Sequence, residues 1–455
     1  MEDCLAVVLA AGEGTRMKSN KLKVLHEAGG RPMITWVMSA LREAGVDKTV
    51  VVCGRGMEEL KAQMGEDVLF AEQAERLGTG HAVMQALPFI KDFDGYVVIM
   101  PGDMPLYTAK TIRSVYETAK NGGHGCALLT AVYANPFGYG RIIRDGAGNV
   151  LRIVEEANAA QEEKKICEAN AFLYCIRASL LRECLAKLQP KPPKSEYYLT
   201  DIVELLAAAG QKVGAYIAPD ATECLGVNDR AQLAEVAKIL RERINKKHML
   251  NGVTIIDPDN TYIDADSEIG TDTVIYPGVI LEKSRIGEGV TLYQGSRIAN
   301  SRIGDGSDVQ NSVVLGSVVG KNTTVGPYAY LRPGTKIGDK CRVGDFVEVK
   351  NSSIGDGTKV SHLTYVGDSD LGKSINVGCG VVFVNYDGKK KHRSTVDDKA
   401  FIGCNTNLVS PVHVGEGAYI AAGSTITEDV PAHSLAIARS RQVIKTDWKD
   451  KRDEE

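Results

Sequence analysis

Apolar residues follow two different periods along the chain, and the change of period divides it into two halves. In the first half, the runs Cys4 to Leu9, Thr49 to Cys53 and Tyr96 to Met100 have the continuous apolar character of buried parallel strands. Between the first two runs, Pro32 stands at a predicted helix start and Gly45 at its C-cap. The apolar face of that helix consists of Ile34, Val37, Met38 and Leu41. This alternation predicts an α/β doubly wound, Rossmann-like sheet.

In the second half, apolar residues recur every six positions, a period that neither a helix nor an alternating strand has. The longest run is Val313, Val319, Val325, Leu331, Ile337, Val343 and Val349. Hexapeptide repeats of this kind place one inward aliphatic residue on each short strand of a parallel β-helix. With three repeats to a coil, the runs predict about nine or ten stacked coils. The period breaks between Phe383 and Val396, where a polar, basic segment predicts a loop outside the coils, the kind of loop that often carries a site.

One amphipathic helix is predicted between the halves, from Asp229 to about His248. Its apolar face consists of Leu233, Val236, Leu240 and Ile244. Helical periodicity stops at Asn251-Gly252. We therefore predict an α/β domain over residues 1–228, a linker helix over residues 229–249 and a β-helix domain over residues 250–455.

Charge and cysteine usage narrow the class of protein. The net charge of −4 gives no reason to expect a nucleic-acid or membrane partner. The chain has ten cysteines, and none forms a Cys-x-x-Cys pair, so we expect reduced thiols and not a disulfide or zinc framework. The acidic start and the short apolar run behind it do not fit a signal peptide. These features predict a cytoplasmic protein.

The strongest chemical motif is the glycine-rich segment Leu9-Ala-Ala-Gly-Glu-Gly-Thr-Arg-Met17, which follows the first predicted strand. Gly12 and Gly14 allow main-chain N–H groups to approach an anion closely. Arg16 and Lys23 add positive charge suited to a nucleoside triphosphate. The segment is neither a Walker A motif nor a dinucleotide fingerprint. By itself it could also be an ordinary turn between a strand and a helix.

This segment resembles the opening L-A-A-G-x-G-T-R-M…K-V-L of sugar-1-phosphate nucleotidylyltransferases. The resemblance implies that Lys23 and Arg16 are catalytic and that the nucleotide contacts Leu9, Ala10, Ala11 and Gly12. It also implies that Asp103, in Pro101-Gly-Asp-Met-Pro105, holds Mg²⁺ together with Asn228, which is counted among the substrate ligands too. An aspartate after a strand is otherwise a common turn residue, and Asn228 could cap the next helix. Pro101 departs from the tyrosine often found in the family.

Further segments resemble the parts of these enzymes that bind the base and the sugar. The resemblance implies that Gln73, Gly78 and Thr79 contact the uracil nucleotide. The alternative for Thr79 is a hydroxyl that only caps a helix, and His81 is expected to be structural. On the sugar side the resemblance implies Gly140, Glu155 and Asn170. Each of these three could otherwise belong to a hairpin turn or a solvated surface.

In the second half, Ser361-His-Leu-Thr-Tyr365 and Ile375-Asn-Val-Gly378 resemble the acetyltransferase half of the bifunctional family that makes UDP-N-acetylglucosamine. The resemblance implies that His362 is the general base, a task for which a near-neutral imidazole is suited. The implied ligands of glucosamine-1-phosphate are Arg332, Lys350, Tyr365 and Asn376. The implied ligands of acetyl-CoA are Cys379, Asn385, Tyr386, Cys404, Ala422 and Arg439. Cys379 and Cys404 depart from the usual alanine and serine, with little loss expected because both are small.

The resemblance covers the whole chain in order, so the sequence is identified as a member of that bifunctional family. It implies a left-handed β-helix, a homotrimer and two reactions: acetyl transfer from acetyl-CoA to glucosamine-1-phosphate, then uridylyl transfer from UTP to N-acetylglucosamine-1-phosphate. The product supplies peptidoglycan and other cell-envelope precursors. One alternative is a nucleotidylyltransferase of single activity with a purely structural β-helix. A second is a non-enzymatic sugar-nucleotide sensor or scaffold, against which Lys23, Asp103 and Asn228 argue.

Overall fold

The apolar runs of the first half form the centre of one sheet. In this computed structural model, which describes residues 1, 3–65, 68–191 and 195–448, β1 (Cys4–Ala10) lies between β4 (Lys48–Cys53) and β6 (Tyr96–Pro101). It is parallel to both neighbours. The prediction of three buried parallel strands is confirmed.

The complete sheet is mixed. Besides β1, β4 and β6, the strands of this half are β2 (Glu27–Ala28), β3 (Arg31–Pro32), β5 (Leu69–Glu72), β7 (Cys126–Val132), β8 (Arg141–Arg144), β9 (Val150–Val154), β10 (Glu168–Arg177) and β11 (Val213–Ile217). The strand order of the sheet is β11-β7-β10-β6-β1-β4-β5, with the β8–β9 hairpin attached to β10. β10 is antiparallel to β6 and β7.

Helices cover both faces of this sheet, as a doubly wound arrangement requires. Alternate residues of β1 point to opposite faces: Val8 packs in one apolar cluster with Ile34 and Ile112, and Val7 packs in another with Val83 and Ile202. The helices are α1 (Met33–Ala44), α2 (Met57–Met64), α3 (Thr79–Gln85), α4 (Leu87–Ile90), α5 (Ala109–Asn121), α6 (Gln161–Lys164), α7 (Ala178–Leu185), α8 (Asp201–Ala208) and α9 (Arg230–Leu250). The predicted C-cap of α1 is confirmed, because Gly45 has φ 87°.

The second half is a parallel β-helix, as predicted, with stacked sheets of eleven, ten and nine strands in the described residues. The first sheet contains β12 (Thr254–Ile255), β15 (Val274–Ile275), β18 (Thr291–Leu292), β21 (Asp308–Val309), β24 (Thr324–Val325), β27 (Arg342–Asp345), β30 (Lys359–His362), β33 (Asn376–Val377), β36 (Phe401–Ile402), β39 (Tyr419–Ile420) and β41 (Leu435–Ala436). The second contains β13 (Tyr262–Ile263), β16 (Ile280–Glu282), β19 (Arg297–Ala299), β22 (Val313–Leu315), β25 (Tyr330–Leu331), β28 (Glu348–Lys350), β31 (Tyr365–Gly367), β34 (Val382–Val384), β37 (Asn407–Val409) and β40 (Thr425–Ile426). The third contains β14 (Glu268–Ile269), β17 (Arg285–Ile286), β20 (Arg302–Ile303), β23 (Val318–Val319), β26 (Lys336–Ile337), β29 (Ser353–Ile354), β32 (Ser369–Leu371), β35 (Ser394–Val396) and β38 (His413–Val414).

The six-residue period places the inward residues correctly along most of the β-helix. Val319, Leu331 and Val349 are each at most 2% exposed. Val313 is an error: the inward residue of β22 is Val314, and Val313 is only half-buried. The coil containing Val314 is one residue shorter than the strict period assumes, and a shift by one residue moves a side chain to the opposite face of a strand.

The glycines that follow the inward isoleucines have a steric reason. A Cβ atom on Gly304 would lie 2.6 Å from the carbonyl carbon of Gly320 in the next coil.

The predicted loop follows β34 and ends at β35. The ion pair between Arg393 and Asp370 (Nε–Oδ2, 2.5 Å) holds the end of this loop to the β-helix.

The chain divides into two compact units, Met1–Leu240 and Arg241–Glu455. The division falls within α9, whose predicted apolar face is confirmed: Val236 and Leu240 are buried in the first unit and Ile244 is buried in the second. In the second unit the Asn245 amide donates hydrogen bonds to the carbonyl oxygens of Pro258 and Thr261 at 2.8 and 3.0 Å. No helix in the described part of the chain is long and apolar enough to span a bilayer.

Candidate functional site

The glycine-rich loop leaves the carboxyl end of β1 and runs into a short 3₁₀ turn, Thr15–Met17. Gly14 adopts φ 62°, and a Cβ atom at this position would lie 2.7 Å from Cβ of Lys23. Only glycine accepts both the left-handed backbone and this close approach. The sequence therefore folds here so that the Lys23 side chain lies directly across the loop.

Lys23 brings the predicted catalytic and metal-binding residues together. Its ammonium group forms an ion pair with the Asp103 carboxylate and lies 3.4 Å from Oδ1 of Asn228. Arg16 donates a hydrogen bond to the same Asn228 oxygen, at 2.9 Å. Asp103 follows β6, the neighbour of β1, so both side chains emerge at the carboxyl edge of the sheet where α/β folds bind ligands.

The donor set around Lys23 suits a small hard cation. Asp103 and Asn228 direct a carboxylate oxygen and an amide oxygen at one positively charged group, and such oxygens are the ligands that Mg²⁺ prefers. The Asn228 side chain does not cap α9, because Oδ1 of Asp229 accepts the Gln232 N–H at 2.9 Å instead. Its oxygen is therefore directed at the cations Arg16 and Lys23 and not at the helix.

Two cavities open beside these residues. The first, of about 330 Å³, is lined by Leu9, Ala10, Gly12, Lys23, Thr79 and Glu155 among the predicted site residues. The second, of about 540 Å³, contains Arg16 and Asn228 in its wall. Thr79, Asp103 and Phe172 line both cavities. Phe172 was not predicted from the sequence, and it has the unusual backbone angle φ 56° at an irregularity in the β10–β7 pairing.

The polar groups of the predicted base-binding residues form hydrogen bonds within the protein. The Gln73 amide nitrogen donates to the Gly78 carbonyl at 3.1 Å and lies 3.1 Å from Nδ1 of His81. The Thr79 hydroxyl accepts the Leu199 N–H at 3.1 Å and does not cap α3, so that alternative is wrong. A Cβ atom on Gly78 would lie 2.5 Å from the Tyr197 carbonyl oxygen, which explains the glycine.

The three predicted sugar-side residues differ in their access to the cavities. The Glu155 carboxylate lines the first cavity and accepts a hydrogen bond from the Thr200 hydroxyl at 3.0 Å. Burial raises the pKa of Glu155. Asn170 is fully buried, donates to the Tyr174 hydroxyl at 2.7 Å and accepts the Phe172 N–H at 3.1 Å. Among the described residues, Asn170 and Gly140 line neither of these two cavities.

In the β-helix, His362 pairs with a carboxylate from the preceding coil. Asp345 of β27 lies opposite His362 of β30 in the parallel register. Their side chains meet with Nδ1 of His362 2.6 Å from Oδ1 of Asp345. This hydrogen bond lowers the pKa of Asp345. Both side chains remain accessible, with 52% of His362 and 36% of Asp345 exposed.

A polar cluster gathers several of the predicted sugar-phosphate and coenzyme ligands around Asp368. Asn385 donates to the Asp368 carboxylate at 2.6 Å, and the Lys350 ammonium lies 3.7 Å from it. The Tyr365 hydroxyl accepts from Asn385 at 3.3 Å. A Cβ atom on Gly367 would lie 2.4 Å from the Tyr365 hydroxyl oxygen, so the glycine leaves room for these side chains.

Two further cations flank this cluster. The Arg332 guanidinium pairs with Glu348 at 2.8 Å. Lys391, in the loop after β34, lies beside Lys350, and this second positive charge lowers the pKa of Lys391. Two ammonium groups placed side by side suit a doubly charged phosphate.

The remaining predicted coenzyme ligands lie on the outer surface of the β-helix. Cys379 is half-buried, whereas Cys404, Tyr386, Ala422 and Arg439 are exposed. Val377 pairs with Ile402, so Cys379 and Cys404 occupy equivalent positions of adjacent coils. Asn376 begins β33 on the same sheet as His362.

Sequence reasoning missed four charged residues of this region: Asp345, Glu348, Asp368 and Lys391. A signal for Asp345 was present, because it precedes His362 by 17 residues (362 − 345), the separation of equivalent positions in the two coils. Lys391 lies in the basic segment that interrupts the repeat. The two carboxylates on the cations had a similar signal, because Glu348 precedes Tyr365 by 17 residues and Asp368 precedes Asn385 by 17 residues.

The protein families that match this chain fall separately within its two units. Residues 6–189 match the MobA-like NTP transferase domain. Residues 316–351 match the bacterial transferase hexapeptide (six repeats), and residues 395–428 match the hexapeptide repeat of succinyl-transferase.

Three relatives match over nearly their whole length, and each carries the name bifunctional protein GlmU. The one from Acetivibrio thermocellus is 55% identical over 449 residues, which is 98% of this chain and 97% of the relative. The one from Geobacillus sp. (strain WCH70) is 50% identical over 447 residues, 98% of this chain and 97% of the relative. The one from Clostridioides difficile (strain 630) is 49% identical over 450 residues, 99% of this chain and 98% of the relative.

Proposed function

The chain belongs to the family of bifunctional GlmU proteins, and from this premise we propose which residues carry each of its two reactions. As a member of that family it is a transferase that makes UDP-N-acetylglucosamine by acetyl transfer and uridylyl transfer, a step in cell-wall synthesis. The observation that carries this conclusion is the identity of 55% over 98% of the chain. A single-activity enzyme or a scaffold would not account for it.

We assign uridylyl transfer to the residues around Lys23. The phosphate oxygen of N-acetylglucosamine-1-phosphate attacks the α-phosphorus of UTP, a P–O bond forms, and the bond to pyrophosphate breaks. Lys23 and Arg16 offset negative charge on the phosphates, which is greatest in the transition state. The loop from Leu9 to Gly12 holds the triphosphate through its main chain. The pairing of Lys23 with Asp103 supports this assignment, because it positions the cation at the cavity wall.

This reaction is metal-dependent in the family, and we propose Mg²⁺ held by Asp103 and Asn228. Bound Mg²⁺ would neutralise phosphate charge and act as a Lewis acid on the reacting phosphoryl group. The ammonium of Lys23 now engages both oxygens. If these oxygens held a metal ion, the Lys23 ammonium would be available to a phosphate oxygen.

The base and sugar sites are placed beside the two cavities, whose walls include Thr79 and Glu155. We propose that Gln73, Gly78 and Thr79 recognise the uracil nucleotide, with the Gln73 carbonyl oxygen available because the amide nitrogen is engaged by Gly78 and His81. The Glu155 carboxylate accepts a hydrogen bond from a sugar hydroxyl. Gly140 and Asn170 belong to the sugar site through the backbone they shape, since the Asn170 side chain fixes Phe172 at the cavity.

We assign acetyl transfer to the β-helix, with His362 as general base. The amine nitrogen of glucosamine-1-phosphate attacks the thioester carbon, a C–N bond forms, the C–S bond breaks, and coenzyme A leaves as the thiol. Nε2 of His362 accepts the proton that the amine loses as the C–N bond forms, and this proton is returned to the departing sulfur. Arg332 and Lys350 bind the phosphate, joined by Lys391. Tyr365 and Asn376 hold the sugar, and Cys379, Asn385, Tyr386, Cys404, Ala422 and Arg439 bind acetyl-CoA.

The remaining proposals concern organisation. We propose a cytoplasmic homotrimer whose acetyl-transfer sites lie between subunits, because hexapeptide-repeat proteins of this family assemble that way. We also keep the domain limits 1–228, 229–249 and 250–455. The substrates are UTP, N-acetylglucosamine-1-phosphate, glucosamine-1-phosphate and acetyl-CoA, with no nucleic-acid or membrane partner.

Both activities can be tested on the full chain in separate mixtures. With acetyl-CoA, glucosamine-1-phosphate and no UTP, we expect release of free thiol. With UTP, N-acetylglucosamine-1-phosphate and Mg²⁺, we expect pyrophosphate. Pyrophosphate without thiol release would favour the single-activity enzyme, and neither product would favour a sensor or scaffold.

Cys404 gives an independent test of the proposed acetyl-CoA site. Cys404 and Cys167 are exposed thiols in different units, so a maleimide should label both. Saturating acetyl-CoA is expected to slow labelling of Cys404 at least tenfold and to leave Cys167 unchanged, as followed by peptide mass spectrometry. Cys404→Ser identifies the labelled peptide. Equal labelling of Cys404 with and without acetyl-CoA would place the coenzyme elsewhere.

A further inference from the structure

The pairing of Asp345 with His362 goes beyond the residues assigned above. We propose that Asp345 is a positioning residue for acetyl transfer: it holds the His362 imidazole in the tautomer whose Nε2 accepts the amine proton. This inference rests on the proposed role of His362 as the base. The observation behind it is the distance of 2.6 Å between Oδ1 of Asp345 and Nδ1 of His362.

The backbone fixes the two residues relative to each other. Val343 pairs with Val360, and Asp345 pairs with His362, in the parallel ladder of β27 and β30. The Leu363 N–H donates to the Asp345 carbonyl at 2.9 Å. A Cβ atom on Gly344 would lie 1.9 Å from the Ser361 carbonyl oxygen, so a side chain at position 344 would force the two strands apart. Backbone contacts between the two coils, before and after Asp345 in the sequence, therefore fix the position of the pair.

The chemistry of the pair determines the tautomer. An ionised carboxylate only accepts hydrogen bonds, so Nδ1 of a neutral His362 must carry the hydrogen, and the Nε2 lone pair is left for the substrate amine. The hydrogen bond to His362 lowers the pKa of Asp345, which keeps the carboxylate ionised at neutral pH. When Nε2 takes up the proton, the negative charge of Asp345 stabilises the imidazolium.

Three other ionisable groups of the described residues lie near this pair along the coils. Arg342, on the same strand as Asp345, also lowers the pKa of that carboxyl group. Lys359 lies three positions before His362 on β30. On the opposite side, the pairing of Val360 with Val377 places the Cys379 thiol at the position equivalent to His362. Asp345 is the carboxylate hydrogen-bonded to the imidazole, so its negative charge is the one that stabilises positive charge on the His362 ring.

A merely structural role is the alternative, because exposed ion pairs contribute little to stability. The same β-helix supplies a matched control. His413 and Asp397 form a second histidine–aspartate pair, with Nε2–Oδ2 at 2.8 Å and side chains 49% and 48% exposed. Neither residue belongs to the assigned sites. Asp397→Asn therefore removes the same charge from a similar pair without touching acetyl transfer.

The test is the dependence of kcat on pH for Asp345→Asn, Asp345→Glu and Asp397→Asn in the full chain. Without the negative charge at position 345 the imidazolium form of the base loses its electrostatic partner, so the acid limb of the kcat profile should move to lower pH. We expect kcat of Asp345→Asn to fall by about 10- to 100-fold, with KM values changed less than about twofold. Asp345→Glu should recover part of the rate, and Asp397→Asn should match the wild type.

The outcomes separate this inference from the assignment of His362. A loss of kcat with an unmoved acid limb, or a change confined to KM, would overturn the positioning role. So would a normal rate in Asp345→Asn when His362→Ala is inactive. An active His362→Ala would instead overturn the base assignment. Uridylyl transfer and the melting temperature, measured on each variant, show whether the chain has folded.

Discussion

His362→Ala is expected to lower kcat for acetyl transfer by about 10²- to 10⁴-fold, the usual contribution of a general base. The attacking amine must give up a proton as it becomes the amide nitrogen of the product. Without the imidazole that proton must pass to water. His362 lies on the outside of the β-helix with 52% of its side chain accessible, so the fold should persist in the alanine variant. The measurement is thiol release from acetyl-CoA under single-turnover and steady-state conditions.

His413→Ala is the control for this prediction, because it removes an exposed imidazole from the same β-helix. It should keep full thiol release. His362→Ala should keep uridylyl transfer from UTP to N-acetylglucosamine-1-phosphate, which we assign to the first unit. Thiol release within about threefold of the wild type would contradict the base assignment. It would favour the alternative in which the β-helix is purely structural.

The sequence predicted those parts of the fold that depend on local pattern. The hexapeptide period placed almost every inward residue of the β-helix, because each coil repeats the same steric requirement. It failed at Val313, where one coil is a residue shorter and Val314 turns inward instead. It also gave no sign that β10 runs antiparallel between β6 and β7, since strand direction depends on the path of the connections and not on the apolar run itself.

The candidate site was predictable at positions where the backbone conformation determines which residue type can be present. Gly14 is required by its φ of 62° and by the Lys23 side chain lying across it. The polar contacts of Gln73 and Asn170 were not predictable, although their partners lie only two to eight residues away, because the direction of each side chain depends on the local backbone geometry. Asp345 shows the intermediate case: its pairing follows from the repeat once the coil length is known, yet the carboxylate looks like any surface residue in the sequence.

Asp103→Asn is expected to lower kcat for uridylyl transfer by about 10²- to 10³-fold, comparable to the loss of one preorganised electrostatic group. The amide keeps the size of the side chain but loses the charge that holds Lys23 and would hold Mg²⁺. Both partners are largely shielded, with 13% of Lys23 and 20% of Asp103 exposed, so the lost charge is not replaced by solvent. Pyrophosphate release as a function of Mg²⁺ concentration measures both the rate and the metal requirement.

Glu58→Gln is the matched control, because it removes a carboxylate from an exposed lysine pair on α2, where Glu58 is 85% accessible and contributes little. It should leave pyrophosphate release unchanged. In Asp103→Asn the Mg²⁺ concentration for half-maximal rate should rise, whereas thiol release from acetyl-CoA should stay at the wild-type level. A variant that loses rate at every Mg²⁺ concentration with an unchanged half-maximal point would mean that Asp103 acts only by orienting Lys23. Full activity at wild-type Mg²⁺ would remove Asp103 from the site, because no carboxamide at this position can supply the missing negative charge.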